Sequence, residues 1–492
     1  MRRSPTPIRN EKDFLRKNRS SLQYHSTVWA VLFCINLMAT ILMFYNVIEQ
    51  TIGFSNCINM LFSKYQDARH LVQIYPDEKF YQIVNLVKNS VKFSLIATLS
   101  ANTFHFLFAI FFPTLYINTN LLANLILFLA PLTFLIHKGY FSFSENNVVN
   151  LEQISYCIGS IILAVIGVFL FFYRQRLVKM SAAMMKASSK MLLKHFSLFF
   201  VEIIQLLILL IVNGLYIILI LIKYYYSTKL NMNVFHYLYA GFSYYWILMT
   251  VYYVGYMTTA GVVGYEFYLG NHSSMPMFIV FHAFKRAITY QFGCACYVGL
   301  VLSFFQTLKE IIDWLKPDDS KKSENNENTL FLFKIEQSIK KIIYYSLYLI
   351  VVIIEKIFKT SSKHALIYCA IFGSSYSNAC YRWKRQSFSA KFMKFQHSSM
   401  ISSALLTNYC ISTVLAIVLA LTLCFNYIED FNIISNFSYF TSFLTFALMT
   451  SVFYILNSLI TTTSDTLYLC FLEQPNILHK EFRSLYDSLE KI

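Results

Sequence analysis

The sequence contains many runs of about 20 residues with almost no charged side chains, the length at which an α-helix crosses the hydrocarbon of a bilayer. The run from Val28 to Ile48, for example, contains no Asp, Glu, Lys or Arg. Apolar residues form 57% of the chain and charged residues only 13%, whereas soluble proteins average about 25% charged residues. We therefore predict an all-α fold, a polytopic α-helical membrane protein with about ten transmembrane helices.

The apolar runs define ten candidate spans. They lie at residues 28–48, 91–112, 115–136, 153–173, 197–222, 238–264, 287–306, 342–358 joined to 365–377, 403–425 and 438–460. Residues 28–306 are expected to hold the first seven and residues 342–460 the last three, on either side of a polar linker at 307–341. This linker lies outside the cell if all ten spans cross the membrane, and on the cytoplasmic side if spans seven and eight are re-entrant or interfacial. Its seven basic and seven acidic residues do not decide between the two.

The distribution of basic residues indicates the orientation. The segment 1–27 carries seven Lys or Arg and two acidic residues, and the segment 174–194 carries six Lys or Arg and no acid. Basic segments remain on the cytoplasmic side, so both segments are predicted to be cytoplasmic, as is the tail at 461–492. The net charge of +16 is attributed to such loops, and no nucleic-acid partner is expected.

One acceptor sequence for N-glycosylation falls in a segment expected outside. Asn436 begins an Asn-Phe-Ser triplet, and the preceding segment 426–435 contains two acidic residues and no basic one. Asn18 and Asn271 begin similar triplets, but both are cytoplasmic in this topology. We predict a glycan at Asn436 alone.

Sequence motifs for catalysis are missing. The chain has no P-loop, no HExxH, no G-x-S-x-G and no GxGxxG pattern, so it lacks the usual signatures of nucleotide-driven pumps and common hydrolases. His105, His137 and His195 lie near span ends, where packing is the simpler interpretation. We expect a protein that is not an enzyme, with no cofactor and no metal site.

Glu202 is unusual because it is a carboxylate inside an apolar run. Burial of such a group in a bilayer costs about 2.5–3.5 kcal/mol on insertion scales, and Gln205 lies on the same helical face at position i+3. Glu202 either reaches water or a lysine of the 174–194 segment near the cytoplasmic end of its span, or contributes to a pathway for a cation. The sequence leaves both open.

The sixth span is rich in aromatic residues. Tyr245, Tyr252 and Tyr256 share one helical face by their spacing, and Trp246 lies on the adjacent stripe. Aromatic faces attract quaternary ammonium groups, although Tyr and Trp are also abundant at membrane interfaces for other reasons. The small-residue segment 258–264, "TTAGVVG", would let another helix approach closely.

The segment "DTLYLCFLEQPN", Asp465–Asn476, resembles the terminal motif of the choline transporter-like family. Six of its first seven residues match that motif, and Tyr468 replaces phenylalanine. The tenth span is expected to end near Ile460, so Asp465 is predicted either to cap a following helix or to pair with a basic loop.

Four further segments resemble the same family in the same order along the chain. They are "RQRLVKMSAAMMKA" (174–187), "AGVVGYEFYL" (260–269), "YQFGCACYVGLVLSFFQTLK" (290–309) and "EKIFKTSSKHALIYCAIFG" (355–373). The first 150 residues match the family only by their pattern of spans.

The resemblance implies a facilitative or exchange transporter for choline or a related organic cation, in the plasma membrane. The implied partners are a quaternary ammonium compound and the lipid bilayer. The expected substrate-binding residues are Tyr245, Trp246, Tyr252, Tyr256 and Glu202. Two alternatives remain, namely a ligand-gated chemoreceptor-like channel of about seven spans and a lipid-handling membrane protein that does not transport.

Overall fold

A computed structural model describes the chain over most of its length. It covers residues 24, 26–52, 77–137, 151–175, 177–225, 234–269, 278–314, 316, 327–386, 388–425 and 431–474. Within these ranges the regular structure is entirely helical.

The helices are numbered in chain order. They are α1 (Thr27–Ile52), α2 (Asp77–Phe111), α3 (Pro113–His137), α4 (Leu151–Gln175), α5 (Val178–Lys194), α6 (Ser197–Tyr225), α7 (Val234–Leu269), α8 (Ile279–Ile288), α9 (Phe292–Trp314), α10 (Glu327–Phe372), α11 (Tyr376–Arg385), α12 (Phe388–Phe425) and α13 (Phe431–Glu473).

Among the described residues, nine helices are long and apolar enough to cross a membrane: α1–α4, α6, α7, α9, α12 and α13. Their outward surfaces are apolar, and Leu127, Phe169 and Ile211 are each more than half exposed. Such surfaces are stable only against lipid or another apolar partner. The prediction of an all-α polytopic membrane protein is therefore confirmed.

The helices group into two compact units. The first contains α1 and α6–α11, and the second contains α2–α5, α12 and α13. Each unit is thus built from two separated parts of the sequence. The unit boundaries fall near residues 71, 196 and 386, which differ from the position of the predicted linker at 307–341.

In the first unit, α7 is the central helix and packs against α1, α6, α8, α9 and α10. Its glycines permit this close packing, as the segment "TTAGVVG" predicts. A Cβ atom on Gly264 would lie 2.7 Å from Cγ1 of Ile371 on α10, and one on Gly261 would lie 3.3 Å from Cβ of Ala283 on α8. Helix α7 is correspondingly the most buried of the candidate spans.

In the second unit, the polar helix α5 packs between apolar ones. It contacts α2, α3, α12 and α13, with Met184, Met185 and Ser188 fully buried. Lys179, Lys186, Lys190 and Lys194 are exposed on the opposite face. The basic segment predicted at 174–194 therefore includes an amphipathic helix with one buried face.

His397 on α12 joins two of the segments that carry the family resemblance. Its Nε2 lies 3.0 Å from Oγ of Ser464 on α13, and its Nδ1 lies 3.4 Å from Oγ of Ser181 on α5. The imidazole is fully buried, and its centroid lies 6.0 Å from that of Tyr468.

The helix cap predicted at Asp465 is wrong, because α13 continues without a break to Glu473. Hydroxyl groups on either side of Asp465 bond to the backbone of their own helix. Thr466 Oγ1 donates to the Thr462 carbonyl at 2.7 Å, and Thr461 Oγ1 donates to the Asn457 carbonyl at 2.5 Å. Polar residues satisfied in this way do not end a helix.

Two other predicted boundaries are shifted. The seventh span was expected to start at residue 287, but the chain breaks between α8 and α9, where Gln291 Nε2 donates to the Cys369 carbonyl at 2.5 Å. The eighth span was expected in two pieces to residue 377, whereas α10 is continuous and ends before Gly373. Gly373 has a φ of 60°, the left-handed conformation that often terminates helices.

Parts of the predicted polar linker are helical. Helix α9 continues to Trp314 and α10 begins at Glu327. Near the end of α9, Asp313 Oδ1 accepts a hydrogen bond at 2.6 Å from the hydroxyl of Tyr344, well inside α10. The charged residues at the start of the segment therefore extend α9, and those at its end belong to α10.

Candidate functional site

Two tyrosines of α7 lie beside a lysine of α10. The Nζ atom of Lys363 lies over the ring of Tyr252, 5.5 Å from its centroid, and over the ring of Tyr256, 5.6 Å from its centroid. The two ring centroids are 6.3 Å apart. Both distances from Lys363 fall within about 6 Å, the range of a cation–π interaction, so this pair of rings holds a cation.

Helix α6 carries two buried polar side chains, and one of them, Gln205, lies against α7. Glu202 is 2% exposed and Gln205 is 4% exposed, and the side-chain oxygens of Glu202 have no hydrogen-bond partner in the described part of the chain. The Gln205 amide lies against Gly255, where a Cβ atom would overlap its Oε1. Gly255 directly precedes Tyr256, so Glu202 and Gln205 lie on the helix face that packs on this turn.

The Glu202 carboxyl group therefore does not reach a lysine of the described residues or the exterior. An unpartnered carboxyl at this burial is costly. Such groups within membrane segments commonly mark ion or substrate pathways.

Tyr245 and Trp246 lie further towards the start of α7 and have other contacts. Tyr245 OH donates to Oε1 of Glu310 on α9 at 2.8 Å. Trp246 is 5% exposed, and its Nε1 donates to the Cys296 carbonyl at 3.0 Å. Its ring centroid lies 5.6 Å from that of Phe33 on α1.

The five residues expected at a substrate site thus fall into two groups. Tyr252 and Tyr256 share one cation, and Glu202 lies on a helix that packs at their turn. Tyr245 and Trp246 lie about two helical turns earlier on α7, roughly 10 Å along the axis from Tyr252.

The sequence analysis did not identify Lys363 or the charged group around Glu355, earlier on the same helix. Glu355 lies two helical turns before Lys363 on the same face of α10. Lys309 Nζ lies 2.6 Å from Oε2 of Glu355, and Gln306 Nε2 donates to its Oε1 at 2.8 Å. Gln306, Lys309 and Glu355 belong to segments that resemble the family. Charged residues that recur at multiples of four along α10, such as Glu355 and Lys363, lie on one helix face, and this spacing is visible in the sequence.

The glycosylation site predicted at Asn436 lies within the bounds of α13, but its side chain lies outside the described residues. Asn18 and Asn271 also lie outside them. Among the described residues, no group of three or more His, Cys, Asp or Glu side chains is arranged to hold a metal ion.

Helices long and apolar enough to cross a membrane define the class, a polytopic α-helical membrane protein. The chain matches the family model described as "Plasma-membrane choline transporter" over residues 157–476. The match covers more than half of the sequence, and the chain belongs to this family.

Individual relatives are distant. Choline transporter-like protein 2 of Cavia porcellus is 28% identical over 153 residues, which are 31% of this chain and 19% of that protein. Protein PNS1 of Debaryomyces hansenii is 29% identical over 136 residues, 27% of this chain and 24% of that protein. Choline transporter-like protein 2 of Homo sapiens is 26% identical over 153 residues, 31% of this chain and 19% of that protein. The chain therefore matches only about a fifth to a quarter of the length of these relatives.

Proposed function

We propose that this protein is a membrane transporter for choline or a related organic cation, of the facilitative or exchange type, in the plasma membrane. The observation that carries the proposal is the cationic Nζ atom of Lys363 over the rings of Tyr252 and Tyr256. Rings that accept an ammonium group in this geometry are suited to a quaternary ammonium compound, which offers no conventional hydrogen-bond donor.

Glu202 is proposed as the counter-charge for the substrate. A cation that leaves water loses its hydration, and a nearby carboxylate compensates part of that cost. Glu202 is buried, has no hydrogen-bond partner within the described part of the chain, and lies on the helix that packs at Gly255. A role as counter-charge would also explain why this chain has a buried carboxyl group that is otherwise costly in a membrane.

Tyr245 and Trp246 remain proposed contributors to the site. Their contacts with Glu310 and Phe33 favour a role in shaping its walls. Trp246→Ala is expected to raise the apparent KM for choline while the amount of protein at the cell surface is unchanged. An unchanged KM would remove Trp246 from the site.

Family membership and the names of the relatives support transport of this substrate class. The absence of nucleotide-binding motifs in the sequence agrees with a carrier that is not driven by ATP. The alternatives differ in what they predict. A chemoreceptor-like channel would produce ligand-gated current, and a lipid-handling protein would produce no flux of choline.

The test is uptake of labelled choline by cells that express the full chain, compared with cells that carry an empty vector. We expect saturable uptake that excess tetramethylammonium inhibits. Glu202→Gln is expected to lower uptake, with surface biotinylation as the control for expression. Absence of saturable uptake of choline and of other organic cations, with the protein at the surface, would refute the proposal.

A further inference from the structure

Lys363 occupies the ring faces that the proposed substrate would need. Its Nζ atom is nearly equidistant from the two rings, 5.5 Å from the centroid of Tyr252 and 5.6 Å from that of Tyr256. A second cation on the same faces would meet the positive charge of Lys363 at close range, where like charges repel strongly in a medium of low dielectric constant.

The backbone at Lys363 is fixed by its neighbours. Ser362 is fully buried, and its Oγ lies 2.9 Å from the hydroxyl of Tyr376 on α11. The ring centroid of His364 lies 4.1 Å from that of Trp383, which is also on α11. The main chain is therefore held on both sides of Lys363, while its flexible four-carbon stem allows the ammonium group to move independently.

We propose that Lys363 is a tethered cation that competes with the organic cation for the faces of Tyr252 and Tyr256. The inference rests on the proposed function and names a regulating residue of the same site. Substrate binding then exchanges one cation for another, and the apparent affinity reflects the difference between the two interactions. Removal of the charge at position 363 is expected to strengthen substrate binding.

The size of this effect follows from the interaction that Lys363 forms. One cation–π contact of the usual strength corresponds to a factor of about 2 to 30 in an equilibrium constant. Loss of the competing ammonium should therefore lower the Kd for choline by about 2- to 30-fold. A plain packing role for Lys363 predicts the opposite, since truncation of a packed side chain loosens the site.

The experiment is equilibrium binding of labelled choline to the purified full chain. Lys363→Met removes the charge and keeps a long unbranched side chain, whereas Lys363→Arg keeps the charge. Lys356→Met is the matched control, because Lys356 lies on the same helix and is exposed. We expect tighter binding for Lys363→Met only. A Kd for Lys363→Met that is equal to or weaker than the wild-type value would overturn the inference.

A second measurement tests the contact without a substrate. The rate at which methyl acetimidate modifies Lys363 is measured by mass spectrometry, with Lys356 of the same molecule as the reference. Tyr252→Leu should speed modification of Lys363, because one of its two rings is lost, and tetramethylammonium should speed it in the wild type. If neither changes the rate, Lys363 is not a competitor on these rings, even if Lys363→Met fails to fold.

The two proposals fail in different ways. If no variant binds choline or tetramethylammonium and neither ligand alters modification of Lys363, the proposed function fails and the competition falls with it. If the wild type binds choline and Lys363→Met binds it no more tightly, the transporter proposal stands and only the role of Lys363 is refuted.

Discussion

Nζ of Lys309 lies 2.6 Å from Oε2 of Glu355, and this ion pair joins α9 to α10 in the first unit. The two side chains are only 18% and 11% exposed, so solvent screens the pair less than a surface salt bridge. Gln306 donates to the second oxygen of the same carboxylate at 2.8 Å. Both oxygens of Glu355 are therefore satisfied by residues one helical turn apart on α9.

Reversal of one charge in this pair should destabilise the protein. Lys309→Glu places two carboxylates together and removes a charged hydrogen bond, a loss of about 1.5–3 kcal/mol. The double variant Lys309→Glu with Glu355→Lys should recover most of that loss. Lys356→Glu, at an exposed position of α10, is the control. The melting temperature of each variant is measured by thermal unfolding, monitored with size-exclusion chromatography. A double variant that melts no higher than the single variant would contradict the pairing.

The close approach of α7 to α10 predicts a sharp glycine effect. Gly264→Ala would place a Cβ atom 2.7 Å from Cγ1 of Ile371, and such overpacking costs about 1–3 kcal/mol. Gly214→Ala on α6 is the matched control, because nothing lies within 4 Å of its added Cβ atom. Ile371→Ala should rescue Gly264→Ala. Equal melting temperatures for Gly264→Ala and Gly214→Ala would rule out this helix contact.

A comparison of Tyr252→Phe with Tyr252→Leu separates ring chemistry from packing. Both side chains are apolar, but only phenylalanine keeps an aromatic face. We expect the KM for choline to rise for Tyr252→Leu and to change little for Tyr252→Phe. The rise in KM should be larger when Lys363→Met is also present. When Lys363 is present, loss of the Tyr252 ring also weakens the competing interaction of Lys363, and this offsets part of the rise. If leucine serves as well as phenylalanine in both backgrounds, Tyr252 only fills space.

The topology predicts that tags on both termini face the cytoplasm. The basic segment 1–27, together with the ten spans predicted from the sequence, is the basis for this orientation. Antibodies should label either tag only after the plasma membrane is permeabilised. A C-terminal tag labelled in intact cells would favour the chemoreceptor-like channel instead.

Asn436 should carry the glycan of this protein. Asn436→Gln is expected to abolish the shift in mass that a glycosidase produces, because the triplet follows an acidic segment expected outside. Asn18→Gln and Asn271→Gln should leave that shift unchanged. A glycan on Asn18 or Asn271 would reverse the predicted orientation.

The membrane class could be predicted from sequence because it depends on hydropathy alone, and most span boundaries agree within a few residues. The end of α13 could not, because the hydroxyls near Asp465 bond within their helix and do not stop it. The aromatic face of α7 was visible as a spacing of residues. Its cation was not, since Lys363 reaches Tyr252 and Tyr256 only through the packing of α10 on α7.

The division of each unit between two separated stretches of sequence constrains how the protein is made. Helix α1 leaves the ribosome before its partners α7 and α9 of the first unit, which follow only after α2–α5 have been synthesised. Helices α2–α5 must in turn wait for α12 and α13. Apolar helix faces therefore remain without their final neighbours during part of translation, and exposed apolar surface of this kind favours misassembly. The early helices of this chain are thus made well before the helices that cover their inner faces.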